Sequence, residues 1–251
     1  MITVARLLHS PIKGLEFVDC AEVVVGPAGA EFDRRFFLVN ADGRLVNSVR
    51  HGRLCLARAE YDGETLTVYL PDGTVVAAPD PARGEPIELA WEAGHHVSGH
   101  VVEGPWAEAL AEFAGEPVRL ARIEDGRGGW SGSAVSLLGD ASIAALGKGP
   151  LDPRRFRMGV LLTGGTPFAE DAWIGSDIAI GSTLLAVRAP CPRCVVTTRD
   201  PTTGERDLDA VRAMIDVRGV NDLGIYCDVL EAGRIAVGDA VSVIRPSAAV
   251  A

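Results

Sequence analysis

Three Asp-Gly dipeptides punctuate the first 80 residues: Asp42-Gly43, Asp62-Gly63 and Asp72-Gly73. Asp-Gly suits the tightest hairpin turns, whose central residues need the positive φ that Asp tolerates and Gly adopts freely. Around these turns lie runs of strand length and chemistry. Phe36-Phe37-Leu38-Val39 returns as Leu45-Val46, and Leu66-Thr67-Val68-Tyr69-Leu70 precedes Thr74-Val75-Val76. A chain turned this often over β-branched and aromatic residues is directed to antiparallel sheet. Upstream, residues 2–8 and 20–26 read as strands around the loop Ser10-Pro11-Ile12-Lys13-Gly14, and Gly26-Pro27-Ala28-Gly29 is a further turn.

Helix is sparse. The spacing predicts helices from Trp106 to Phe113, ending at Gly115, and from Ala141 to Leu146, with Asp140 as N-cap. A third is expected over residues 207–217, with Val211, Met214 and Ile215 on one face. Residues 79–104 are rich in Pro, Gly, Glu and His and read as loop with short strands. Further strands are expected at 118–120, 135–138, 156–163, 177–180, 183–188, 225–230 and 241–244. The fold class is therefore mainly β, with few short helices. A composition shift at the glycine-rich stretch 125–132 divides the chain into residues 1–121 and 122–246, with 247–251 as a disordered tail.

A formal charge of −10 argues against a general binder of nucleic acid or of an anionic membrane. No apolar run approaches the ~20 residues of a spanning helix, and no signal-peptide core opens the chain. Cytoplasmic residence is the expectation. Five cysteines, an odd number and scattered apart from Cys191 and Cys194, do not make a secreted disulfide framework. Cys20, Cys55 and Cys227 sit in apolar strand-like contexts and read as small core residues.

Chemistry concentrates in Pro190-Cys191-Pro192-Arg193-Cys194-Val195-Val196-Thr197-Thr198, followed by Asp200-Pro201-Thr202-Thr203-Gly204. A thiolate beside a guanidinium suits a soft metal or a persulfide. Val195 to Thr198 prefer strand over helix, which argues against a thioredoxin-like dithiol at a helix N-terminus. Structural zinc needs further ligands; His96 and His100 have suitable spacing but, with His95, read as solvated loop residues. Basic residues form a second feature. Arg157 interrupts the apolar run Phe156-Met158-Val160, so an inward guanidinium there needs an anion. Lys13, Arg34 and Arg157 together would cradle a phosphorylated cofactor, since the chain has no P-loop.

The stretch from Arg193 to Gly204 resembles the signature of the MOSC (molybdenum cofactor sulfurase C-terminal) domain. Phe156-Arg157 followed by an apolar strand and Phe168-Ala169-Glu170-Asp171-x-Trp173, and later Gly238-Asp239, are similar to that family's flanking segments. Ser10-Pro11-Ile12-Lys13 and Asp33-Arg34-Arg35-Phe36 resemble the partner MOSC N-terminal β-barrel domain. The resemblance implies two β-barrel domains with a molybdopterin-type cofactor between them. By comparison with amidoxime-reducing components it implies that Cys194 ligates molybdenum. It also implies that Lys13, Arg34, Arg157, Arg193 and Thr198 lie at the cofactor. Two positions depart from the pattern: Gly14 stands where the family has Ser, and Met158-Gly159 where it has Pro-Asn.

The expected function is a molybdenum-dependent oxidoreductase reducing N-oxygenated or S-oxygenated small molecules. Cys194 would hold the metal, Arg193 would compensate charge and Asp200 would handle protons. Electrons would come from a separate ferredoxin- or flavoprotein-type donor, because no iron–sulfur domain follows. The alternatives are a sulfur carrier with a Cys194 persulfide, or a cofactor-free protein on the same scaffold, for which Gly14 and Gly159 are the motive.

Overall fold

The first strand, Thr3–His9, feeds two cores: Val4 and Leu7 enter one and Leu8 another, with a shift of register between Val4 and Arg6 changing which face each residue takes. Those two cores lie on either side of the main sheet in the computed structural model, which describes residues 1–79, 83–90, 96–124 and 129–244. The largest sheet has eight strands. In spatial order they are Val241–Ile244, Asp177–Ile180, Thr183–Pro192, Asp222–Glu231, Val135–Gly139, Val160–Thr163, Thr3–His9 and Val18–Cys20. Neighbours run antiparallel except Val135–Gly139 beside Val160–Thr163. The sheet curls on itself: Val4 N donates to Asp239 O at 2.9 Å and Val241 N to Ile2 O at 3.0 Å. Those bonds satisfy backbone groups that an open edge would expose.

The predicted hairpins form at Leu38↔Val46, Tyr61↔Leu66 and Tyr69↔Val75, each across one Asp-Gly turn. Phe36 and Leu38 pack into one core with Trp106 and Leu110, whereas Phe37 and Val39 pack on the opposite face with Ala121 and Ile123. Each such fully buried side chain stabilises the fold by roughly 1.5–3 kcal/mol. Residues 79–104 carry more strand than expected: Arg83–Ala90 pairs with His96–Val102, so His100 lies in a strand rather than a loop. His95, residues 125–128 of the glycine-rich stretch and the tail 247–251 lie outside the described residues.

The hydrogen-bonded sheets do not divide at residues 121/122. Thr3–His9 pairs with Val160–Thr163, and Glu22–Gly26 pairs with Gly233–Ala236, so the first strands complete sheets built from the second half. Three local expectations also change. Phe156 ends the 3-10 turn Pro153–Phe156, Arg157 takes a left-handed φ of 52°, and the strand starts at Val160. Asp140 is the first residue of the helix Asp140–Ala144, whose cap is Gly139. The helix Ala210–Arg218 buries Ala210, Ala213 and Met214 but leaves Ile215 exposed. Among the described residues no helix is long and apolar enough to cross a membrane.

Candidate functional site

The strand Thr183–Pro192 runs farther than its apolar pattern suggests and separates the two neighbouring cysteines. Cys191 lies within it, fully buried in the core that holds Phe156, Met158 and Met214, whereas Cys194 stands beyond its end, exposed. Val195–Thr198, expected as strand, forms a 3-10 turn with Cys194 at its N-cap. Side-chain bonding explains the change: the Thr197 hydroxyl donates to Cys194 O at 2.9 Å and the Thr198 hydroxyl to Val195 O at 2.7 Å. Short hydroxyl side chains thus offer the backbone a local alternative to the sheet.

Cys194 opens onto a cleft of about 490 Å³. Lys13, Arg34, Arg157 and Arg193 line the same cleft, which holds no Asp or Glu among its described lining residues. Four cationic side chains gather there in a chain of net charge −10, with Asp33 pairing to Arg34 at 3.4 Å from outside the lining, and they concentrate positive potential in the cleft. Lys13 Nζ donates to Gly129 O at 3.0 Å and Ser131 Oγ at 2.7 Å. Arg34 Nη2 donates to Arg157 O at 3.4 Å, and Arg157 Nη1 to Leu15 O at 2.9 Å. Enclosure by protein, and then the neighbouring Arg34, hold the Arg157 guanidinium down to about 10. Arg34 (φ 50°) and Arg157 are both left-handed non-glycine residues, a conformation that costs about 1–3 kcal/mol and gathers at functional sites.

The structure redirects Arg193. Its guanidinium turns away from Cys194 to the buried side: Nη1 donates to Cys191 Sγ at 2.6 Å and Met158 Sδ at 3.0 Å, and Nη2 to Phe156 O. Burial and the adjacent Cys191 push the phenol of Tyr226, another cleft residue, well up. Asp200 and Thr198 do not line the cleft. The Asp200 carboxylate accepts from Thr202 Oγ1, from Thr202 N at 2.7 Å and from Thr203 N at 3.1 Å. Those bonds hold it below the usual carboxylate range, and it secures a turn outside the cleft rather than a place within it. The Thr198 hydroxyl is spent on its own turn.

Arg155, which the sequence leaves equally open as a surface arginine or a member of the basic set, is buried. Its side chain is 3% exposed and holds Asp207 through two bonds, at 2.7 and 2.8 Å, and Thr197 O at 3.3 Å. It ties the Cys194 turn to the stretch before the last helix. Asn47, Ser48, Ser136 and Asn221 also line the cleft, and no local sequence signal marks them. Gly14, the first departure from the family pattern, has φ +96°, and a Cβ there would stand 2.9 Å from Asn47 Cα. Ser136 Oγ accepts from Gly159 N at 3.0 Å at the second departure.

The geometry can be set beside known proteins. Residues 127–242 match the MOSC domain family, and residues 1–90 match the MOSC N-terminal beta barrel domain family. The chain belongs to the MOSC family. It is 26% identical to mitochondrial amidoxime-reducing component 1 of Xenopus laevis, over 95% of this chain and 81% of that protein. It is 24% identical to molybdenum cofactor sulfurase of Danio rerio over 89% of this chain, which spans only 31% of that longer protein. Among solved structures, the YUAD protein from Bacillus subtilis is similar over 98% of each chain, with a TM-score of 0.48 and 12% identity.

The MOSC cleft suits a phosphorylated metal cofactor on its donor chemistry: cations for the anionic part and one reachable thiol for a soft metal. Among the described residues no group of three or more His, Cys, Asp and Glu could hold a metal. Cys194 is the one His, Cys, Asp or Glu among the described residues lining the cleft.

Proposed function

We propose that this MOSC protein binds a molybdenum cofactor through Cys194 and reduces N-oxygenated or S-oxygenated small molecules. The observation that carries the reading is the shared cleft: an exposed thiol facing Lys13, Arg34 and Arg157, with no carboxylate among the lining residues. The similarity to amidoxime-reducing components supports the activity class. Bound there, the cofactor would supply two-electron oxygen-atom transfer.

The chain's own residues would bind and orient it. Lys13, Arg34 and Arg157 would neutralise its phosphate, and the Thr197 bonds to Cys194 O would set the direction of the thiolate. Arg193, which lines the cleft while its guanidinium engages Cys191 and Met158, would add its charge to the wall. Electrons would arrive from a separate ferredoxin- or flavoprotein-type donor.

The test is metal and pterin content of purified wild type and Cys194→Ala. Near-stoichiometric molybdenum and pterin in wild type, with molybdenum lost in the variant, is the expected result. Protein empty of both after expression in a cofactor-competent host would overturn it. A second reading, a persulfide carrier, is favoured by the exposure of Cys194 alone among the five thiols. It predicts one added sulfur atom on Cys194 in the intact mass after treatment with a sulfur donor.

A further inference from the structure

Two like-charged guanidinium groups do not stay together in a protein unless something holds them. Arg34 and Arg157 are close enough for Arg34 Nη2 to reach the Arg157 carbonyl. Among the described residues the carboxylate paired with them is Asp33, whose Oδ2 lies 3.4 Å from Arg34 Nε. Asp33 is already engaged, since its Oδ1 accepts from Ser10 N at 3.0 Å. What the two arginines share is an aromatic ring: Arg157 Cζ lies 4.5 Å and Arg34 Cζ 5.1 Å from the Phe17 ring centroid. Phe17 is 1% exposed and does not line the cleft. It is a core residue, packed with Leu8, Phe156 and Leu161.

A ring face attracts a cation through its quadrupole, most strongly where water is excluded. One ring serving two guanidinium groups lowers their energy without neutralising them, so the charge that Asp33 does not offset remains for a ligand. A carboxylate in the same place would hold the pair equally well but cancel half of its charge. The left-handed backbone at both arginines is a cost of the kind that gathers at functional sites. We propose that Phe17 is a positioning residue: its ring holds Arg34 and Arg157 side by side as a seat for a multiply charged phosphate group. This deepens the cofactor reading and rests on it for the identity of the ligand, but not for the anion chemistry.

The test changes the ring's charge distribution and leaves its shape almost intact. Protein made in a host that cannot synthesise the cofactor, carrying 3,4,5-trifluorophenylalanine at position 17, is compared with wild type from the same host in calorimetric titrations with inorganic pyrophosphate, alongside melting curves. The expected result is an affinity lower by about tenfold, the scale of cation–π attraction at two desolvated arginines, with a melting temperature lower by no more than about 4 °C. Phe17→Leu should lose at least as much affinity, and Phe17→Tyr should retain more than Phe17→Leu. Equal affinity in the fluorinated and native proteins would overturn the proposal, because a merely structural ring does not distinguish them. Absence of pyrophosphate binding in wild type would overturn it as well. Pyrophosphate binding that depends on Phe17, together with protein from a cofactor-competent host that holds no molybdenum or pterin, would keep the seat and remove the molybdenum reading.

Discussion

Restoring the family's serine at position 14 should damage this protein rather than repair it. Gly14 has φ +96°, beyond the region that an L residue enters cheaply, and a side chain there costs about 1–2 kcal/mol in backbone energy. The added Cβ would also stand 2.9 Å from both Cα and Cβ of Asn47, which is 9% exposed, and 3.3 Å from Ser48 N. Because those contacts are mostly backbone, relief requires moving the Asn47–Ser48 segment, and overpacking of this kind adds about 1–3 kcal/mol. Gly14→Ser should therefore destabilise by about 2–5 kcal/mol, a fall in melting temperature of about 5–15 °C for a chain of this size.

Gly159→Asn is the control. A Cβ at Gly159 meets nothing closer than Leu8 O at 3.8 Å, so the change should cost less than about 1 kcal/mol. Differential scanning calorimetry of the three proteins gives the comparison directly. A Gly14→Ser protein melting within about 1 °C of wild type, or one more stable than Gly159→Asn, would refute the reasoning. The departure at Gly14 would then be an empty space and not one filled by Asn47.

Arg155 holds the Asp207 carboxyl below the usual carboxylate range. Its contribution to stability is therefore complete above about pH 4 and is lost as acid protonates the folded protein; Asp207→Asn should flatten the acid limb of a stability–pH curve from urea titrations. Iodoacetamide at neutral pH should label Cys194 first, as the one exposed thiol, with peptide mapping as the check. Cys20, held up at about 11 by burial, and buried Cys55, Cys191 and Cys227 should react only on unfolding.

The hairpins were legible because their information is local. An Asp-Gly turn and its flanking strands lie within a few residues, and the positions of Asp42-Gly43, Asp62-Gly63 and Asp72-Gly73 all became turns between paired strands. The helix from Trp106 was legible for the same reason, closing at Gly115 with φ 77°. Errors arose where tertiary or side-chain bonding overrode the pattern. Val195 to Thr198 carry strand propensity, yet threonine hydroxyls wound them into a 3-10 turn. Phe156 to Thr163 look like one apolar strand, yet Arg157 breaks it with a left-handed residue.

For the candidate site, the sequence alone determined its chemical inventory: one Cys-rich motif and a set of basic residues in an acidic chain, each recognisable by type and spacing. Only the tertiary structure decided which of them meet. It brought Lys13 and Arg34 across to Arg157 and Cys194, and it bound Arg193 to Cys191 and Asp200 into a turn. It also stacked both arginines on Phe17, and placed Asn47 against Gly14. Side-chain direction and the distance between remote segments depend on the closure of the sheets, and no window along the chain contains that information.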